Sequence, residues 1–275
     1  MIAIAVTTAA LVVILSAMNG LTGTVAELYN AFEPDIKIGV NKGKNFNFTN
    51  DQITKIKGIN GVKAVSCALS DKALIKNSEQ QVLVTIKGVD PEFVKVTAIE
   101  KSLIDGNYSL YSSKKNEILL GNGIANQLQI NIKEYVSDLS ILSPRRGKAE
   151  SLNPEENINQ VYVSPGGIFS LNDEFDYQYA FVSLETARKL FDEPERISSV
   201  EVLCEEGMTD DVQENIKEML GSAYTVKNRF ELNDVLFKTL ETEKLATFLI
   251  LAFIMIIATF NIIGALTMLI IEKRK

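Results

Sequence analysis

Close to its C-terminal end the chain carries an uninterrupted apolar run, LATFLILAFIMIIATFNIIGALTMLII, from Leu245 to Ile271, which stops at the charged tetrad Glu272, Lys273, Arg274 and Lys275. As a helix this run is roughly 40 Å long, more than the roughly 30 Å of a bilayer's hydrocarbon layer. Its Leu, Ile and Phe side chains favour insertion by on the order of 5 to 10 kcal/mol, which one Asn cannot offset. A membrane-spanning helix is predicted, and Lys273, Arg274 and Lys275 put its far end in the cytoplasm by the positive-inside rule.

The opposite end is apolar too. Ile2 to Met18 reads IAIAVTTAALVVILSAM without a charge. A cleaved signal peptide would need a basic leader, a shorter core and a better cleavage site than Ser16-Ala17 offers, so an uncleaved anchor is the expectation. If both ends cross, everything between them lies outside the cytoplasm. That stretch is long enough for one or two domains with a core of their own.

The excess of acid in a chain of formal net charge −7 argues against a nucleic-acid surface. The two cysteines, Cys67 and Cys204, sit far apart in strand-like segments, where an oxidising compartment would permit one disulfide. Buried free thiols are the favoured reading, because Cys commonly fills cores. No histidine occurs, which removes the commonest general base, the commonest metal ligand and every Ser/His or Cys/His pair. The chain has no phosphate-loop motif, and Gly121-Asn122-Gly123 fails the dinucleotide fingerprint because Asn126 stands where its third glycine belongs. That triplet reads as a strand-to-helix turn, Pro165-Gly166-Gly167 as a strand bulge, and the acidic Asp173, Glu174 and Asp176 as a solvated turn. No catalytic residue, metal ligand or cofactor is expected.

Leu21, Val25, Leu28 and Phe32 recur at helical spacing after the first apolar run until Pro34 ends the pattern. Leu232, Leu236 and Leu240 repeat before the second run amid Asn233, Asp234, Lys238, Glu241 and Glu243, so both membrane helices are expected to continue outward as stalks. Such stalks are either ordinary juxtamembrane helix or rigid levers. Between them the pattern is α+β. Strands are predicted at 36–40, 62–69, 82–88, 117–120, 136–142, near Val161 and Tyr179, at 199–204 and at 223–227. A capping box of Thr49 and Gln52 opens a helix that Gly58 closes. Ser183 caps another with Leu184, Ala187, Leu190 and Phe191 on one face; Thr209 caps a third with Val212, Ile216, Met219 and Leu220 inward. The first and last thirds read as βαβ-type halves of one sheet, with a second, strand-rich lobe inserted between them.

Four segments carry a family resemblance: SAMNGL at the end of the first run, LYNAFEPDIKI, EILLGNGIANQL, and ETEKLATFLILAFIMIIATFNIIGALTMLIIEKRK. In this order and spacing the chain resembles the permeases of the lipoprotein-releasing system, the LolC/LolE-like members of the MacB/FtsX-type ABC transporter superfamily. The resemblance implies residues 1–34 as transmembrane helix and stalk and 35–230 as a MacB-like periplasmic domain. In the latter, a porter-like α+β lobe (about 35–105 and 198–230) would hold an inserted, β-rich sabre-like lobe (about 106–197). Residues 231–275 would be the second stalk, the second transmembrane helix and the start of a cytoplasmic segment. It also implies a bacterial inner-membrane location, a cytoplasmic ATPase subunit, a second permease subunit, a periplasmic carrier and lipoprotein substrates. The mechanism would be mechanotransmission without chemistry in this chain. Full permeases carry further helices, so the chain is expected to be an N-terminal part.

The polar stretch Ser143 to Asn159, with Pro144, Arg145, Arg146, Lys148 and Pro154, falls where LolC-type members carry a hairpin that hooks the carrier; a solvated variable loop is the alternative. Asn261, flanked by Ala258 and Ala265, gives the second span a small, polar stripe suited to helix packing, either against the first span or against partner helices. MacB-like efflux, FtsX-like hydrolase activation and a two-span sensor domain share this topology and stay open.

Overall fold

The computed structural model of the protein describes residues 8–10, 12–20, 33–111, 115–132, 138–145 and 157–273. The chain divides into two compact units, one of Leu28–Leu232 and one of Met1–Glu27 with Asn233–Lys275.

Helix α1 (Thr8–Gly20) opens the described chain. Strands β1 (Ile36–Val40) and β2 (Phe46–Asn47) lead to α2 (Asn50–Lys57), whose start is the predicted capping box: the Gln52 N–H donates to Thr49 Oγ1 and the Thr49 N–H donates back to Gln52 Oε1. Strands β3 (Val62–Asn77) and β4 (Gln80–Val89) form a long hairpin, followed by α3 (Phe93–Val96), a single 3-10 turn (Ile99–Ser102), β5 (Leu103–Gly106) and β6 (Glu117–Gly121). The expected turn at Gly121 passes into α4 (Asn122–Gln127), and it must be glycine, because a Cβ there would lie 2.3 Å from the Asp176 carbonyl oxygen. Then come β7 (Leu139–Pro144), β8 (Ile158–Phe169), α5 (Asp173–Gln178), β9 (Tyr179–Ser183), α6 (Leu184–Phe191), β10 (Arg196–Ile197) and β11 (Ser199–Cys204). The chain ends in α7 (Thr209–Leu220), β12 (Tyr224–Asn228), α8 (Arg229–Leu232) and the 40-residue α9 (Asp234–Lys273).

In Leu28–Leu232, β1 lies between β12 and β11, and β11 lies between β1 and β3, all antiparallel. The order β12-β1-β11-β3 therefore makes β1-α2-β3 and β11-α7-β12 two interlocked split βαβ units, as the halves read from the sequence require. Helices α2 and α7 bury Ile56, Val212 and Ile216 in the same core as Ile36, Ile38, Val65, Val200, Val202 and Val226. The second half of β3 does something else. It pairs β4 on one edge and β7 on the other, and the pairings β3–β4–β9–β6–β8–β7–β3 close a ring of six strands. Closure gives each of these strands a partner on both sides over part of its length, although β4 from Gln80 to Val84 pairs only β3. The ring draws on strands from both stretches that the resemblance assigns to separate lobes. Helix α6 packs so close to it that a Cβ on Gly88 would lie 2.1 Å from that of Ala187.

Several elements differ from expectation. Strand β3 continues past Leu69 to Asn77, because buried Ala73 and Ile75 alternate with exposed Lys72 and Lys76 and keep one face in the core. Thr209 does not cap α7: Met208 occupies the cap without a side-chain bond, and Met219 points outward. The acidic stretch at Asp173 is a helix capped by Asn172, and Asp176 is buried, accepting from Ser170 Oγ (2.7 Å) and the Leu171 N–H (2.8 Å). Strand β7 begins at Leu139; 133–137, within the expected strand, lie outside the described residues, as do the stalk positions Leu21, Val25, Leu28 and Phe32. Leu232 belongs to α8, and α9 starts only after Asn233. The bulge expected at Pro165-Gly166-Gly167 is present: Ile118 pairs Pro165 and Leu119 pairs Gly167, leaving Gly166 extra. Cys67 and Cys204 are free and buried, and burial pushes both thiols up to about 12.

On the face of the sheet opposite α2 and α7 lies a buried ion pair. Lys87 Nζ is 2.7 Å from Glu201 Oε1 and 4.7 Å from the centre of the Phe93 ring, and the two residues are 5 % and 0 % exposed. Burial pulls the Lys87 ammonium below its usual range, and the Glu201 carboxylate pulls it back. Nearby, Asp90 accepts from Ser66 Oγ and the Cys67 N–H (2.7 and 2.8 Å). Removing one partner of such a pair costs about 3–5 kcal/mol, whereas replacing both by apolar residues costs far less. Lys87→Met should lower the denaturant midpoint of the full chain sharply, and Lys87→Met with Glu201→Leu should recover most of that loss.

Candidate functional site

Two places in Leu28–Leu232 stand out, and the first is where the chain enters and leaves it. Because β1 and β12 are antiparallel, with Ile36 opposite Asn228, the segment arriving at Asp35 and the segment leaving at Arg229 lie side by side at one end of the sheet. Side chains tie them together. Arg229 Nη2 is 3.0 Å from Asp35 Oδ1 and donates to the Glu33 carbonyl (3.0 Å), while the Arg229 N–H donates to the Asp35 carbonyl (3.2 Å). The other carboxylate oxygen of Asp35 accepts from the Cys204 N–H at 2.8 Å, which anchors the pair to β11. Asp35 and Arg229 side chains are each only 19 % exposed, so this is a partly desolvated charge pair with several hydrogen bonds and is stronger than a surface bridge.

Around the corner, Gln213 of α7 is buried and donates to the Val226 carbonyl (3.0 Å) and to Glu231 Oε2 (2.5 Å). Glu231 also accepts from the Asn228 N–H (3.0 Å), and its own N–H donates to Asn228 Oδ1 (2.9 Å). Gln213 thus occupies an outward carbonyl of the edge strand β12 and locks α8 to α7. None of Asp35, Arg229, Gln213 and Glu231 is evident from the sequence, since their partners lie far off along the chain or in a different element.

The second place is the β7–β8 hairpin. Its register runs from Leu139–Val163 to Pro144–Ile158, and the Arg145 N–H extends it by donating to the Asn157 carbonyl at 2.8 Å. Pro144 and Arg145 therefore stand at the root of the expected loop, which is the connection of a hairpin; Arg146, Lys148 and Pro154 lie outside the described residues. Arg145 Nε donates to Asn159 Oδ1 (2.9 Å), and Asn159 Nδ2 donates to the Leu190 carbonyl (3.1 Å), so the root is pinned to the end of α6. Registers set Leu83, Leu74 and Leu142 side by side across β4, β3 and β7. Beside them Leu83, Tyr162 and Ile158 are 64 %, 60 % and 44 % exposed, and Lys72 and Lys76 flank the row. Among the described residues no group of three or more Cys, Asp or Glu is arranged to hold a metal ion.

In the other unit, α9 is the one helix among the described residues long and apolar enough to cross a membrane; α1 is apolar but shorter. Asn261 is exposed and Ala258 half-buried, while the side chain of Ala265 lies outside the described residues. Lys244 Nζ donates to Asn19 Oδ1 at 2.7 Å.

Comparison with known proteins gives this arrangement its family. The sequence profile of the MacB-like periplasmic core domain matches residues 1–145. The chain belongs to the MacB-like periplasmic core domain family. It is 25% identical over 292 residues to the lipoprotein-releasing system transmembrane protein LolE of Haemophilus influenzae, covering 99% of this chain and 65% of that protein. To LolC of Buchnera aphidicola it is 24% identical over 269 residues, covering 96% and 63%. LolC of Neisseria meningitidis is 23% identical over 282 residues, covering 98% and 65%. This member of the MacB-like family therefore spans a little under two thirds of the length of these relatives. Among solved structures, the periplasmic region of MacB from Actinobacillus actinomycetemcomitans superposes with a TM-score of 0.49 and 12% identity, over 75% of this chain and 92% of that one.

The network at Gln213 generates a test within the family fold. Gln213→Ala strands the Val226 carbonyl and one contact of Glu231, a loss of about 1–3 kcal/mol for buried polar groups left unpaired. Hydrogen exchange should then quicken in β12 and α8 and stay unchanged in the ring strands β6 and β9.

Proposed function

We propose that this chain is a non-catalytic permease subunit of an ABC transporter, working by mechanotransmission to release lipoproteins from a bacterial inner membrane toward a periplasmic carrier. A separate cytoplasmic ATPase and a second permease subunit complete the machine. The observation that carries the reading is the juxtaposition of chain entry and exit at Asp35 and Arg229, next in sequence to a helix of roughly 60 Å. A helix of that length moves as a rod, and a head whose two ends are tied at one point receives its displacement there. The kinship with LolE and LolC supplies the cargo, since those relatives carry lipoprotein release in their names.

In this reading α9 and the apolar N-terminal run are two spans, and residues 35–230 face the periplasm, with a porter-like lobe (about 35–105 and 198–230) and a sabre-like lobe (about 106–197). The loop with Pro144, Arg145, Arg146, Lys148 and Pro154 contacts the carrier. The pinned root of the β7–β8 hairpin and the exposed Leu83, Tyr162 and Ile158 beside it support that assignment. An exposed apolar row of this kind is a common mark of a protein contact. Asn261, Ala258 and Ala265 form the face on which the span packs against other helices.

The deciding experiment reconstitutes the permease with its ATPase in proteoliposomes and follows ATP-dependent transfer of a lipoprotein to the carrier. Transfer that fails while the ATPase still binds and turns over would refute the cargo. Deleting Arg146 to Pro154, which spares the pinned root at Arg145, should reduce carrier capture at least about tenfold, the loss expected when one buried contact of about 1.4 kcal/mol disappears, with an unchanged melting temperature. Asn261→Leu should weaken assembly with the second subunit in detergent, read as a shift from complex to free chain on size exclusion; an unshifted profile removes the packing role.

A further inference from the structure

The way β1 and β12 meet determines how the head responds when its two connections are drawn apart. Hydrogen bonds between antiparallel strands run perpendicular to the strands. The bond from the Arg229 N–H to the Asp35 carbonyl is the first of these; Ile36 and Asn228 face each other as a pair without hydrogen bonds, the Asn228 N–H going to Glu231, so the next bonded rung is Lys37–Lys227, and the register ends at Val40 and Tyr224. Separating Asp35 from Arg229 therefore loads one rung at a time, from the Asp35–Arg229 end inward, and never the whole ladder together. In that geometry the strand pairing itself resists weakly. Whatever side chains tie the loaded end set the threshold.

What stands there is the Asp35–Arg229 pair, and it is built to hold. Arg229 engages this segment at three points: the Asp35 carboxylate and the Glu33 carbonyl through its side chain, each at 3.0 Å, and the Asp35 carbonyl through its N–H at 3.2 Å. Asp35 is held from behind by the Cys204 N–H. On the exit side, Asn228 and Glu231 exchange two hydrogen bonds and Gln213 ties both to α7. Each side of the contact is thus fastened to a different element, the one to β11 and the other to α7, and the charge pair bridges them. We infer that Asp35 and Arg229 form a mechanical clasp, which keeps the two connections of the head together and fails first, before the β1–β12 ladder, when they are pulled apart. The inference rests on the force-transmitting reading for its biological use, but the clasp is a property of the fold and can be measured without transport.

The test is single-molecule pulling on the full chain in detergent micelles, with handles on cysteines introduced by Gly20→Cys and Val235→Cys; the buried Cys67 and Cys204 leave these two sites selectively labelled. At constant force the unaltered chain should show a discrete first opening, followed by the short extension of an unzipping β1–β12 pair. Asp35→Asn and Arg229→Met should each shorten the lifetime before that first opening at least about tenfold, the effect expected for losing a charge-assisted, half-buried hydrogen-bonded pair. The exchanged pair, Asp35→Arg with Arg229→Asp, should restore part of the lifetime. Asp51→Asn, which removes the exposed Lys55–Asp51 pair, serves as a control and should leave it unchanged. Variants that still melt as the parent does, yet show an unaltered first lifetime, would overturn the clasp. So would a shortening equal to that of the Asp51 control. If the clasp is confirmed while proteoliposomes transfer no lipoprotein, the cargo reading fails and the clasp stands.

Discussion

Everything in Leu28–Leu232 depends on the double use of β3. Its first half hydrogen-bonds β11 on one side while its second half hydrogen-bonds β7 on that same side, and β4 runs along the other edge for ten residue pairs. A strand of 16 residues is long for a globular domain, and length is what allows it to belong to two structures. One end completes a four-stranded split βαβ sheet and the other completes a six-stranded ring. The two cannot hinge freely, since any relative rotation must twist or break the β3–β4 hairpin. The head is therefore a poor candidate for internal domain closure and a good one for moving as a body.

The buried polar groups act in the same sense. Lys87 on β4 and Glu201 on β11 reach each other across β3, with Phe93 of α3 over the ammonium group. Asp90 ties the start of the α3 segment to Ser66 and Cys67 of β3. An ion pair in such surroundings adds little net stability relative to apolar packing, but it penalises every register or rotation that separates its partners. It specifies the crossing of β4, β3 and β11, the same three strands that join the sheet to the ring.

How much of this could be read from the sequence follows from the range of the interactions. Thr49, Gln52, Ser183, the apolar face of α6 and Val212 and Ile216 of α7 were legible, because caps and helical periodicity act within four residues. The continuation of β3 beyond Leu69 was missed because Ser70, Asp71 and Lys72 interrupt the apolar run, although Asp71 turns inward and pairs with Lys44. Asp176 was misread for a similar reason: three carboxylates in four residues resemble a solvated turn until Ser170 and Leu171 fold back onto one of them. Lys87 and Glu201 did leave a trace, a lone charge of each sign within an apolar strand, in TIKGV and SVEVL. The Asp35–Arg229 contact left none. It exists only because β12 returns beside β1, and that return is a property of the strand order rather than of any local segment. The polar stretch after Leu142 was legible as a loop, but the anchoring of its root to Leu190 through Asn159 required the closed ring.

The first turns of α9 show why a rod outside a protein core can remain a helix. Helical segments without packing tend to fray, because nucleation and propagation leave short helices marginal in water. Here Lys238 donates to Asp234 one turn earlier at 2.6 Å, with the acid nearer the N-terminus, the favourable order for both the pair and the helix dipole. Thr239 and Thr242 hydroxyls bond back to the carbonyls of Val235 and Lys238, contacts that bend a helix slightly rather than hold it, so the charge pair carries the stabilisation of this stretch. From Leu245 onward the apolar run takes over, and in a bilayer a broken backbone bond would cost several kcal/mol. The polar beginning and an apolar remainder within a bilayer would thus be kept helical by different forces, the one by local charge and the other by the solvent itself. That continuity is what the proposed force transmission would require of α9, because a helix transmits motion along its axis only where no residue between its ends can unwind.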